Sequence, residues 1–155
     1  MSIRHAPEQW NHLGTDRLPG LLGFEVTGVG EGEVRAALTV HDRLLAHNGY
    51  LHAGTVVTMA DTCCGIGCFS HLPDGASNFT TIELKSNHLA TATDGHLDCV
   101  ARVAHQGRTT QVWDAVVTHR ETGRTLALFR CTQMVLYPRA GAPGTRPEGA
   151  AALPR

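Results

Sequence analysis

HNGYLHAGTVVTMADTCCGIGCF, residues 47–69, sets the plan of this chain. A polar loop containing Gly49 leads into a long apolar run, and one carboxylate, Asp61, sits inside that run. Gly49 breaks the chain before the run and Pro73 stops it soon after His71, so the run predicts a helix of roughly four to five turns. Its residues are small or apolar on nearly every side: Val56, Val57, Met59, Ala60, Cys63, Cys64, Ile66, Cys68 and Phe69. A helix apolar all round is buried in the middle of a fold. The length also suits a membrane span. Asp61, two glycines and three threonines within the run, and the alternating sequence after it, argue instead for a central helix wrapped by a sheet.

Asp61 is the anomaly. A carboxylate on a buried helix costs free energy unless it is paired or does chemistry. No Lys or Arg lies within one helical turn of it. Helical spacing puts Gly54, Thr58, Asp61 and Gly65 on one stripe, a small polar groove along an apolar rod. Asp61 either bonds internally, to Thr58 or a loop amide, or is a catalytic carboxylate facing a narrow cleft. The second is the sharper expectation.

The 155 residues suit one domain, long enough to bury a core without metal or disulfide staples. Hydrophobic content of 42% against 17% charged marks a globular chain. The formal net charge is −1 and no basic face or block of Lys and Arg occurs, which argues against nucleic acid as a partner. The start, Met-Ser-Ile-Arg-His, has no apolar signal core, so a cytoplasmic address is expected. Five cysteines, Cys63, Cys64, Cys68, Cys99 and Cys131, form no C-x-x-C pair and no disulfide framework. They read as small packing residues, and no metal site is expected.

Residues 1–19 read as a lead-in, with a short helix over Pro7 to Arg17 that Gly14 interrupts. Leu22 to Val29 and Glu33 to Val40 read as strands around a Gly30-Glu31-Gly32 turn, with Val34, Ala36, Leu38 and Val40 on one face. After the helix, Pro73-Asp74-Gly75 is a turn. Four more strands follow. Asn78 to Leu89 has Ile82 and Leu84 on one face. His96 to His105 turns Leu97, Cys99, Ala101 and Val103 inward. Thr109 to His119 carries Trp113, and Thr125 to Tyr137 alternates Ala127, Phe129, Cys131, Val135 and Tyr137. Consecutive antiparallel strands after one buried helix make an α+β domain over 20–137. The tail, 138–155, is Pro, Gly, Ala and Arg and is expected to be disordered.

About six strands curled around one long helix resemble the hotdog fold. His47 to Asp61, with His52-Ala53-Gly54 and then Ala60-Asp61, resembles the phenylacetate-degradation (PaaI-type) acyl-CoA thioesterase family. Val103-Ala104-His105-Gln106-Gly107-Arg108 and Ala127-Leu128-Phe129-Arg130 are similar to that family's last strands. The resemblance spans Gly20 to Tyr137. It implies hydrolysis of an aromatic (phenylacetyl-like) or short-to-medium acyl-CoA, with no cofactor beyond the coenzyme A of the substrate. It places the oxyanion donor on the backbone N–H of Ala53, with Gly54 beside it for close approach of the acyl group. Asp61 matches the catalytic carboxylate, acting as nucleophile or as general base. Thr81 stands where relatives keep a Ser or Thr that bonds to the carboxylate or its water, and His52 stands at the helix start. Where the family has an orienting Asn or Gln, fifteen residues before the carboxylate, this chain has Ala46. Asn48 and His47 are the nearby substitutes.

One step follows from geometry alone. Ala53 and Asp61 are eight residues apart on one helix, ~12 Å along its axis. One thioester carbonyl needs donor and base both within hydrogen-bonding reach. Two antiparallel helices from two subunits supply both, so a homodimer is expected, with Ala53 of one copy facing Asp61 of the other. The resemblance implies the same, often with dimers pairing into tetramers. For the acyl pocket wall the candidates are Tyr50, Phe69, Phe79 and Trp113, each with core packing as the default reading, and His47 is a candidate substrate contact. Arg108, Arg130 and Arg139 are candidates for the coenzyme A phosphates. A non-catalytic acyl-CoA binder on the same scaffold is the alternative, and Asp61 discriminates, because a pure binder gains nothing from a buried carboxylate beside a thioester. A hydratase of the same fold is weaker, since its pattern of His and acid is not visible.

Overall fold

The computed structural model describes residues 6–138. Arg139 and nearly all of the expected disordered tail lie outside the described residues. Two short helices, α1 (Pro7–Gly14) and α2 (Leu18–Leu22), precede the strands β1 (Phe24–Gly30) and β2 (Glu33–Thr39). The central helix α3 (Ala53–Ser70) follows a loop, and then come β3 (Asn78–His88), β4 (His96–Gln106), β5 (Thr110–His119) and β6 (Thr125–Leu136). All strand pairs are antiparallel, in the order β1-β2-β4-β5-β6-β3. This is the hotdog arrangement, α+β, with one long helix against one six-stranded sheet.

The core lies between α3 and the sheet. Val34, Ala36, Leu38, Leu97, Cys99, Ala101, Ala115, Val117, Ala127 and Cys131 are almost fully buried on the inward face, as period-two alternation requires. Glycines let the helix approach closely. A Cβ at Gly67 would sit 2.5 Å from Trp113 Cζ3, and one at Gly65 would sit 3.0 Å from Phe79 Cζ. All five cysteines are free and buried, as packing residues. Thiol contact with Cys99 and burial hold the Cys63 thiol well above its ordinary range, and burial lifts Cys68 to about 12.

Two expectations need correction, and one choice between readings is settled. The lead-in holds two helices, and Leu22 ends the second; Gly23, at φ 72, turns the chain into β1 at Phe24. A bulge between Thr81 and Glu83 switches the parity of β3. Phe79 and Thr81 oppose inward residues before it, and Leu84 and Ser86 after it. Ile82 falls at the switch with no partner in register, 55% exposed. Trp113 and Phe69 belong to the protein's interior packing. Trp113 is fully buried over Gly67, and Phe69 meets Trp10 of α1 edge-on at 5.6 Å.

Candidate active site

The start of α3 is built by the loop before it. Residues 46–49 form a turn in which Gly49 N–H donates to the Ala46 carbonyl at 2.9 Å, with Gly49 at φ 79. Helix starts leave their first N–H groups without partners. Here the His52 ring caps one of them, its Nδ1 accepting from Gly54 N–H at 2.8 Å. In that role the neutral ring carries its proton on Nε2. The Cβ that Gly54 lacks would sit 2.9 Å from the same Nδ1, so this glycine makes room for the ring. Ala53 is the first helical residue, and among the described residues nothing accepts from its N–H. That amide points a bare donor from the positive end of an 18-residue helix. A cavity of about 420 Å³ opens beside it, lined in part by Ala46, Asn48, Tyr50, His52, Ala53 and His88.

Two turns further on, Asp61 is half-buried on the stripe shared with Gly54, Thr58 and Gly65. Thr58 does not serve it; its hydroxyl donates back to the Gly54 carbonyl at 2.8 Å. Asp61 Oδ1 instead receives a long contact, 3.5 Å, from Thr81 Oγ1 on β3. No Lys or Arg pairs with it among the described residues. Burial therefore holds the carboxyl above its ordinary value, and the Thr81 hydroxyl only partly opposes this. An unpaired, proton-hungry carboxylate and a free helix-start amide, two turns apart, are what acyl transfer to water requires. Within one copy, Ala53 and Asp61 are ~12 Å apart along the helix axis, too far to act together on one carbonyl.

The model of the Thioesterase superfamily matches residues 48–130. A 1,4-dihydroxy-2-naphthoyl-CoA hydrolase of Listeria monocytogenes is 32% identical over 111 residues, covering 72% of this chain and 89% of the relative. The chain belongs to the thioesterase superfamily. The acyl-coenzyme A thioesterase PaaI of Escherichia coli is 29% identical over 109 residues, 70% of this chain and 75% of that protein. Among solved structures, a mutant of thioesterase PA1618 from Pseudomonas aeruginosa superposes with a TM-score of 0.80 at 27% identity, covering 85% of this chain and 94% of the other. The chain is an enzyme of this hotdog superfamily.

Within that family frame, the remaining candidates divide. Tyr50 is half-exposed and lines the cavity at the helix start together with Asn48, whose side chain accepts from Tyr50 N–H at 3.3 Å. His47 is exposed on the same loop and is not among the residues lining that cavity. Phe79 packs on Gly65, one turn from Asp61. Arg108 is exposed in the β4–β5 turn, and its carbonyl accepts from the Tyr137 hydroxyl at 2.6 Å. That turn lies near the C-terminal end of α3, where Gln106 and Gln111 donate to the His71 carbonyl. Within one copy, Arg108 is thus at the far end of the helix from Ala53. Arg130 is already engaged, in a two-bond pair with Asp114 across β5 and β6. The sequence reading passed over two residues. His88 lines the helix-start cavity, but its facing depends on the β3 bulge. Gln133 is fully buried beside Thr81, and its inward position was visible in the β6 alternation. Among the described residues no three His, Cys, Asp or Glu groups gather as a metal site, and no helix is long and apolar enough to cross a membrane.

Proposed function

We propose that the chain hydrolyses the thioester of an aromatic acyl-CoA to the free acid and coenzyme A. The observation that carries this is that one helix holds both a half-buried carboxylate with no cation on it among the described residues, Asp61, and the bare amide of Ala53 at its start. Water adds to the thioester carbon and gives its proton to Asp61, or Asp61 adds directly and water follows. In both routes the carbonyl electron pair moves onto oxygen against the Ala53 N–H. The tetrahedral centre then collapses, the C–S bond breaks, and the leaving thiolate takes up a proton. His52 Nε2–H and Asn48 line the cavity beside that amide, and Asn48 takes over from the missing group at Ala46. The reaction draws only on side chains, amides and water.

Each site is shared by two copies. The open edge of β3 supports this, because among the described residues β3 pairs only with β6, and it presents exposed Ile82 and Leu84, with Leu89 just beyond its end. An unprotected edge of eleven residues is a ready template for a second chain. Thr81, whose hydroxyl meets Asp61 Oδ1 at 3.5 Å, lies on this edge strand. An aromatic acyl group agrees with the name of the Listeria hydrolase and with the phenylacetic acid degradation operon that Escherichia coli PaaI comes from, and Phe79 and Tyr50 offer rings to contain it. A PaaI-type substrate and a bicyclic one are separate arms of the test. Pairing of dimers into tetramers, phosphate binding by Arg108 of the second copy, and a cytoplasmic setting, where CoA thioesters and free thiols coexist, complete the proposal.

A panel of acyl-CoA thioesters, including phenylacetyl-CoA, a naphthoyl-CoA and short linear chains, scored by free thiol release, tests it. Aromatic members should react fastest, and Asp61→Asn should slow release by roughly 10²–10⁴. If native protein hydrolyses none of the panel, the acyl-CoA-binder alternative takes its place. If Asp61→Asn keeps the native rate, the site is elsewhere.

A further inference from the structure

Gln133 is fully buried on β6, in the inward register between Cys131 and Val135. It opposes Thr81 on β3 and Gln111 on β5. Gln111 has a complete structural role: its amide donates to the His71 carbonyl at 2.9 Å, and its own carbonyl accepts from the Trp113 indole at 2.9 Å. Gln133 has no such completion. Its Oε1 accepts from Thr81 Oγ1 at 2.9 Å, and its Nε2 meets the Cys131 sulfur at 3.3 Å. Sulfur is a weak acceptor, so half of a buried amide is poorly used.

The Thr81 hydroxyl has one proton and faces two acceptors, Gln133 Oε1 at 2.9 Å and Asp61 Oδ1 at 3.5 Å. It serves one at a time. A half-turn of the Gln133 amide presents Nε2–H to Thr81 Oγ1 and releases the hydroxyl proton toward Asp61. The two arrangements match the two states of the carboxyl. Ionised Asp61 takes the Thr81 proton, with Nε2–H behind it. Protonated Asp61 donates to Thr81 Oγ1, whose own proton then goes to Gln133 Oε1. We propose that Gln133 is a positioning residue that reverses the direction of the Thr81 hydroxyl as Asp61 gains and loses its proton. The proposal rests on the assignment of Asp61 as the carboxylate that cycles during turnover.

Hydrogen bonds in series polarise one another, and the chain ending on a charge gains most. Loss of Gln133 therefore weakens the ionised form more than the neutral one. The other titratable groups on this inward side are few. Cys64 lies one turn along α3 and feels the charge of Asp61, Cys63 and Cys68 are buried on the same helix, and Cys131 lies on β6. Glu83 and Lys85 pair with Thr132 and Arg130 on the outer parity. The inward faces of β4 and β5 bring Cys99 and, at a strand end, His119.

The test is the titration of the Asp61 side-chain carboxyl carbon, followed by NMR in the native protein, Gln133→Leu, Gln133→Met, Thr81→Val and Thr81→Val/Gln133→Leu. In the native protein the Gln133 side-chain amide signals should move with the same midpoint as Asp61. In Gln133→Leu and Gln133→Met the midpoint should rise by about half a pH unit, leaving about threefold less ionised carboxyl on the acid side. The double variant should match Thr81→Val alone. Equal midpoints in native and Gln133 variants, or the same rise with and without the Thr81 hydroxyl, would overturn the proposal. Should neither Gln133 variant fold, the native signals decide: amide resonances that stay flat through the Asp61 titration refute it. The readout needs no turnover, so an acyl-CoA panel that fails leaves this result standing by itself.

Discussion

Replacing Ala53 with proline should remove one hydrogen-bond donor and almost nothing else. Ala53 is the first residue of α3, and its N–H has no acceptor among the described residues, so no bond within the chain is lost. Proline is favoured at that helical position because its φ is already set. His52 before it sits at φ −67 and ψ 130, in the extended region that a residue preceding proline prefers. The next bonds survive: Gly54 N–H to His52 Nδ1 at 2.8 Å, and Thr55 N–H to the His52 carbonyl at 3.0 Å. Melting temperature should therefore stay within about 2 °C of native, the span of a change near 0.5 kcal/mol. Catalysis is different. Loss of one oxyanion donor costs about 2.7–4 kcal/mol, or roughly 10²–10³ in kcat. KM should change little, because the bond strengthens only as charge develops on oxygen. Thiol release from an aromatic acyl-CoA gives kcat, and a thermal melt of the same preparation gives stability. Ala53→Ser, which keeps the N–H and adds one atom, should stay within about threefold of native on the same donor argument. A proline variant at native kcat would refute the oxyanion assignment. A serine variant as poor as the proline one would show crowding instead of a lost donor.

Other outcomes follow from the same geometry. Mixing Ala53→Pro with Asp61→Asn, after unfolding and refolding together, should restore about a quarter of native activity, because half the dimers are mixed and each holds one intact site; no recovery would mean that each site lies within one copy. Asp61→Asn should lose roughly 10²–10⁴ in kcat yet melt higher than native at neutral pH. The sign follows from burial. The folded carboxyl binds its proton more tightly than the ordinary value of 3.8, so this group's contribution to stability is full below that value and is lost as pH rises through the folded one. The gap between variant and native should close as pH falls below about 3.8, and the acid limb of kcat/KM should lie above that ordinary carboxyl value. Gly67→Ala would drive a Cβ to 2.5 Å from Trp113 Cζ3. Overpacking costs about 1–3 kcal/mol and helix propensity returns about 1. The net should lower the melting temperature by several degrees with kcat nearly native, and an unchanged melt would show that Trp113 can move aside.

Much of the architecture is legible because it is local. The run from Ala53 to Ser70 has no polar face beyond one narrow stripe, and only a helix enclosed by other structure tolerates that. Alternation in β2 and β4 chose the inward residues correctly, down to Val34, Ala36, Leu97 and Cys99. Asp61 stood out for the same reason: a charge without a neighbouring cation inside an apolar run. The spacing of Ala53 and Asp61 on one helix needed no coordinates either. The second short helix was less legible, because Leu18–Leu22 carries weak signals of both kinds and Gly23 decides where the strand begins.

What only the folded structure decided depends on pairing between distant segments. The bulge at Ile82 exists because β3 must keep register with β6, and no local pattern announces it. Arg130 looked free to bind a phosphate until Asp114, sixteen residues away, was brought opposite it. Trp113 was open to two readings, core or pocket wall, until Gly67 was placed under its ring. Gln133 was visibly inward, but its partner Thr81 is 52 residues earlier in the chain. Periodicity is written in neighbouring residues, because the backbone repeats every few of them. A hydrogen bond across strands is written in the register of the whole sheet, and that register is settled only when all of the buried faces close together.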